Sequence, residues 1–230
     1  SPFMDSMLSM SDSARSTDMH GEQIGGPADP GPAIDIQLSA DKLRLRENAE
    51  LTAAKVNMSI DSSRPRNGTV TGQIDKDKKL EVAIASQGEA RKITIASDDA
   101  GFGARVLLKI DYLVGGNLKM DGTFVGSGGD AMIRMTDVRL KNAPLVAQIF
   151  SLASLRGLAD VLNGDGVLFT QVDAPIKLQD GRIDLPGLRA SGPAMGITER
   201  GWVAMKESEI SLDGVLVPSF GVNSLLGGLP

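Results

Sequence analysis

From Ala33 onward apolar and polar residues alternate with a period of two, and this pattern limits the chain to strands more firmly than any other feature. Ile34, Ile36 and Leu38 are separated by Asp35 and Gln37, and Val56, Met58 and Ile60 by Asn57 and Ser59. The pattern returns at Leu80/Val82/Ile84, Ile93/Ile95, Val106/Leu108/Ile110, Leu118/Met120, Ile133/Met135, Val167/Phe169, Ile176/Leu178, Ile183/Leu185, Val203/Met205, Ile210/Leu212 and Val215/Val217. Successive side chains of a strand point to opposite faces, so each run has one apolar and one polar face. Turn-forming clusters lie between the runs: RNG (Arg66 to Gly68), DKDKK (Asp75 to Lys79), SQGE (Ser86 to Glu89), VGGN (Val114 to Asn117), GSGGD (Gly126 to Asp130) and QDGR (Gln179 to Arg182). Short runs spaced by about 8–12 residues predict an antiparallel meander of about a dozen strands, not βαβ units. The fold class is mainly β.

One stretch keeps a different period. Between Asn142 and Gly166, residues Leu145, Val146, Ile149, Phe150 and Leu152 recur at helical spacing, which predicts a capping helix at about 143–163. Asn142 suits an N-cap, Pro144 a first turn, and Asn163-Gly164 a left-handed exit. A second short helix is expected after Pro218, over FGVNSLLGG. Residues 1–33 carry five acids and one base, with Pro and Gly clustered from Gly25 to Pro32. They read as a flexible acidic linker or a loosely docked segment, with Phe3, Met4, Met7 and Leu8 as the only docking candidates. Residues 34–230 form the β domain. The chain reads as a piece of a longer polypeptide, without a signal peptide or a membrane-spanning apolar run of its own.

Composition removes several functions. The net charge is −5 and aromatics make up 3% of the chain, a poor basis for holding nucleic acid. There is no cysteine, and His20 is the single histidine, so thiolate chemistry and His-based metal or triad chemistry have no support. Gly101–Gly103 has Val106 where a dinucleotide loop needs glycine, and GSGGD occurs once where calcium-binding β-rolls need tandem copies. Asp98-Asp99 and Asp165 read as solvated turns, and Trp202 as a core or rim residue. Neither catalytic residues nor a cofactor or metal are expected.

A sheet of amphipathic strands must cover its apolar face with a second sheet, with helices, or with an apolar ligand. The candidates for that face are aliphatic: Val106, Leu108, Ile110, Leu118, Met120, Ile133, Met135, Val167 and Phe169. In the segment 105–120 the even-numbered residues share a face, opposite Arg105, Leu107, Lys109, Asn117 and Lys119. Leu107 is the apolar exception and is expected to lie under a neighbouring element. Alternation alone leaves an open trough and a closed sandwich both standing.

Four stretches resemble the AsmA-like family of Gram-negative envelope proteins, most closely the C-terminal region of its YhdP-type branch. They are Ile93 to Gly122, Asn142 to Phe169, Leu188 to Val203 and Leu212 to Pro230. The resemblance implies a long sheet curved into a hydrophobic, β-taco-like groove with one or two short capping helices. It implies a periplasmic lipid-transfer module, part of a bridge that moves phospholipid between inner and outer membranes. The partners it implies are phospholipid acyl chains and outer-membrane or envelope proteins, with an inner-membrane anchor in the longer parent. The competing expectation is a structural or assembly scaffold of the envelope with a closed β core.

Overall fold

The computed structural model describes residues 33–61, 64–108, 110–152, 163–204 and 209–218. The acidic segment before Ala33, residues 153–162 of the helical insert and the helix expected after Pro218 lie outside them. In chain order the elements are β1 (Ile34–Arg46), β2 (Ala49–Asp61), β3 (Arg64–Asp75), β4 (Lys78–Gln87), β5 (Ala90–Ser97), α1 (Ala100–Leu108), β6 (Leu113–Val114), β7 (Asn117–Val125), β8 (Gly128–Leu140), α2 (Pro144–Leu152), β9 (Val167–Gln179), β10 (Arg182–Ser191), β11 (Met195–Ala204) and β12 (Glu209–Pro218).

Eleven of the twelve strands form one antiparallel path, β1-β2-β3-β4-β5-β7-β8-β9-β10-β11-β12, and β6 pairs with β8 beside it. Among the described residues β1 and β12 each pair with one strand only, so the sheet is a meander that is not closed. The closed β core of the scaffold reading does not form among the described residues. The hairpins use the residues that their backbones demand, with Gly88 at φ 65, Gly126 at φ 57, and Asp180-Gly181 at φ 51 and 83. The RNG turn is corrected: Arg66 to Gly68 lie inside β3, where Gly68 pairs with Met58 and Ile84. A tripeptide with turn residues extends here because strands on both sides supply ladder partners.

The main departure from expectation is α1. The run Val106/Leu108/Ile110 is not a strand: Val106 and Leu108 lie on this helix, and Ile110 follows it outside any regular element. All four orphan N–H groups of the first turn are satisfied. Asp99 Oδ1 accepts from Phe102 N at 2.9 Å and Ser97 Oγ from Asp99 N at 3.2 Å, while the Asp99 carbonyl accepts the first intrahelical bond from Gly103 N at 3.1 Å. The loop before β7 supplies the other two acceptors, Gly116 O to Ala100 N at 2.9 Å and Gly115 O to Gly101 N at 3.2 Å. Gly115 and Gly116 reach that geometry with φ of 66 and 73.

α1 contacts β2, β5, β7 and β8. In a flat sheet β2 and β8, five intervals apart, would be about 24 Å from each other, more than twice the ~10 Å diameter of a helix. The sheet must therefore curl around α1. Leu51, Leu118, Val138, Val167 and Met195 are the largest fully buried side chains, and all lie toward the strand ends nearest α1. Two left-handed residues, Ala53 (φ 47) and Asp137 (φ 53), step their strands so that Leu51 and Ala54, and Met135 and Val138, all face inward.

α2 begins at Pro144 as the spacing predicts. Its cap is displaced by one residue: Asn142 adopts φ 52, while the carbonyl of buried Ala143 accepts from Ala147 N at 2.9 Å. At the far end of the insert, the positive φ falls on Gly166 (φ 86).

Candidate functional site

Register partners share a face, so the ladder pairs trace what each side of the sheet presents. One row crosses seven strands as Val56, Val70, Val82, Ile95, Met120, Ile133 and Ala174. The next row, one residue along, reads Lys55, Thr71, Glu81, Ala96, Lys119, Arg134 and Asp173 on the same strands. Along these two rows the inner side is aliphatic and the outer side, Ala96 apart, charged or hydroxylated. A further inner row, nearer the strand ends remote from α1, runs Ile210, Val203, Ile183, Leu178, Gly129 and Phe124.

Burial along this inner face is graded. Beneath α1 it is closed: Leu118, Met135, Val167 and Phe169 pack in the core, and Ile133 is buried as well. Met120 is half-buried. The expected lining residues thus divide between the helix (Val106 and Leu108), the segment after it (Ile110), the closed core, and a surface on which Met120 still meets solvent. Of the expected capping residues, Leu145, Ile149, Phe150 and Leu152 all fall on α2, beside half-buried Val146 and Ala147, which pack on the core.

Away from α1 the face is more open, although Ile84 on β4 is still buried. Val56, Met58, Ile60, Val70, Val82 and Ile93 are half-buried, and none was in the expected lining, although β2 to β5 carry the same alternation as the strands that were. At the two margins apolar side chains stand in water. Ile34 on β1 is 54% exposed and Ile210 on β12 is 64% exposed, with Ile36, Leu38 and Leu212 also exposed.

Charged groups on or near this surface have identifiable roles. Asp99 is no solvated turn: besides capping α1 it holds Lys78 Nζ at 2.8 Å, and Ser97 Oγ donates to its carbonyl at 2.8 Å. The Asp99 hydrogen bond, then its charge, raises the Lys78 ammonium above its usual value of 10.5. Glu199 is an inner-face residue, register-paired with Leu188 and Gly214, and burial raises its carboxyl above the usual 4.5. Trp202 lies on the outer face beside Asp184 and Ser211, with the Arg182 guanidinium 4.5 Å from its ring centre. Arg182 pairs with Asp184 at 2.8 Å and Arg200 with Asp213 at 3.3 Å, so the charges around the indole are mutually compensated.

Among the described residues no group of His, Asp or Glu is arranged to hold a metal ion, and no helix is long and apolar enough to cross a membrane. Comparison with protein-family models, with curated proteins and with solved structures found no match to the chain.

Proposed function

We propose that the chain is a lipid-transfer module, and that its concave face carries phospholipid acyl chains as part of a bridge between the inner and outer membranes of a Gram-negative envelope. The observation that carries this reading is the inner face itself, apolar across the path yet left in water at both margins by Ile34, Ile36, Leu38, Ile210 and Leu212. An ordinary β domain would close such a face against a second layer. The resemblance of four stretches to the AsmA-like family supplies the periplasmic setting, the membrane-anchored parent and the envelope partners of the proposal.

The transfer it describes is passive. Each methylene that leaves water for the apolar face gains about 0.8 kcal/mol, whereas burying an unpaired headgroup costs several kcal/mol. Acyl chains therefore lie on the inner rows while headgroups stay at the open margin. A 13-residue strand such as β8 or β9 spans about 43 Å, several times the ~15 Å thickness of one leaflet of hydrocarbon.

Native mass spectrometry and organic extraction of the purified chain test the proposal. Phospholipid should co-purify in at least stoichiometric amount. A lipid-free protein that also fails to take up lipid from vesicles would sink the reading.

A further inference from the structure

Two half-buried arginines at the helix-capped end of the sheet each keep one buried guanidinium nitrogen without an acceptor. Arg46, the last residue of β1, donates from Nε to the Val106 carbonyl of α1 at 3.1 Å, yet its Nη2 is buried and bonds to nothing. Arg105, one residue before Val106 on α1, has its Nε buried and equally without a partner. Neither forms an ion pair among the described residues. The acids closest to them in the chain are committed or remote from burial: Glu50 pairs with Lys42 at 3.3 Å, Asp99 pairs with Lys78, and Glu47 and Asp111 are exposed.

A buried donor without an acceptor is costly, and more so when it is charged. The C-terminal end of α1 offers only about half a negative charge, which does not offset two guanidinium groups. The donors also border the apolar surface. Val106 and Leu45 pack on the core cluster, and Ala49, the register partner of Arg46, is buried.

The geometry points to an anion site at the β1–α1 junction that takes the phosphate group of an acyl-chain lipid, with Arg46 Nη2 and Arg105 Nε as donors. A planar guanidinium matches the oxygen geometry of a phosphate, and hydrocarbon attached to that phosphate would continue onto the adjoining aliphatic face. The choice of a lipid phosphate rests on the groove reading above, whereas the anion site does not.

The test uses the full chain and three probes: phosphatidic acid and diacylglycerol bearing the same fluorescent acyl chains, and inorganic phosphate followed by calorimetry. Phosphatidic acid should bind at least about tenfold more tightly than diacylglycerol, the equivalent of one charge-assisted hydrogen bond. The R46Q/R105Q double variant should erase that ratio and leave diacylglycerol binding unchanged. If the double variant does not fold, R105Q alone, which removes an Nε that bonds nothing, carries the same comparison. Inorganic phosphate that binds, is lost in the variants and competes with phosphatidic acid upholds the site. Phosphate binding with neither lipid bound also upholds the anion site and assigns it to the free ion, at the expense of the groove reading. Equal affinity for both lipids, unchanged by the substitutions and with no phosphate binding, overturns the anion site and leaves the groove standing.

Discussion

Asp99 shows how much one side chain can organise in this molecule. Its carboxylate caps α1 with one oxygen and binds Lys78 with the other, while its backbone is held by Ser97 Oγ, a hydroxyl that is itself buried. Asp99→Ala should lower unfolding free energy by about 1–2 kcal/mol, measured by denaturant titration, because the first turn of α1 loses an acceptor. Lys78→Met should cost less, since the ammonium it removes is partly exposed. Glu199 is a case of opposite sign. With its carboxyl raised by burial, the folded state holds the proton more tightly than the unfolded state does, so stability falls as pH rises from about 4.5 through the folded value. Glu199→Gln should therefore melt higher than the parent at pH 7 and level with it at pH 4 and below. Equal melting temperatures at both pH values would refute this assignment.

At the scale of elements, α1 is where the sequence was hardest to read, and a clue was present. Leu107 is apolar in a position that a strand would give to solvent, and three consecutive apolar residues from Val106 to Leu108 do not fit strict alternation. Gly101 and Gly103, poor helix formers, hid the helix. Both serve packing: a Cβ at Gly101 would overlap the Leu113 carbonyl, and one at Gly103 would sit 3.2 Å from Leu118 Cδ1. Gly101→Ala should cost about 1–3 kcal/mol in a thermal melt, through displacement of backbone that cannot yield. The strands were legible because amphipathic alternation leaves them no other element, and α2 because Pro144 marks its first turn. Which inner residues α1 covers was not legible, since that depends on a contact between segments about 50 residues apart. A charge placed on the uncovered part of the face offers a direct check. Met120→Glu should fold with near-parental circular dichroism and bind less lipid, whereas Lys119→Glu, on the outer side, should leave lipid uptake unchanged. Collapse of the Met120 variant would mean that the face is closed there.

The molecule as a whole has two unequal edges. β1 exposes apolar residues only inward, whereas β12 exposes Ile210 and Leu212 on one face and Val215 and Val217 on the other, and its ladder with β11 is free of bulges. An edge strand that is apolar on both faces, and whose mid-strand charge Asp213 is already paired with Arg200, invites pairing with another strand. The chain should self-associate as concentration rises, and Val215→Lys with Val217→Lys should raise the monomer fraction in light scattering after size exclusion. The meander order was legible because short turns join neighbouring runs. Its failure to close was not, because closure depends on whether the first and last strands meet. That open order also dictates how the protein would respond to tension. A pull on its two ends loads the ladder bonds of the outermost hairpins one after another, so strands should peel away singly at low force. Among the described residues the closest contacts of α1 on the β12 side reach β8, whereas on the β1 side the Arg46–Val106 hydrogen bond ties the first strand to the helix. Optical-trap records should then show small steps from one end and a single larger yield when the α1 latch lets go.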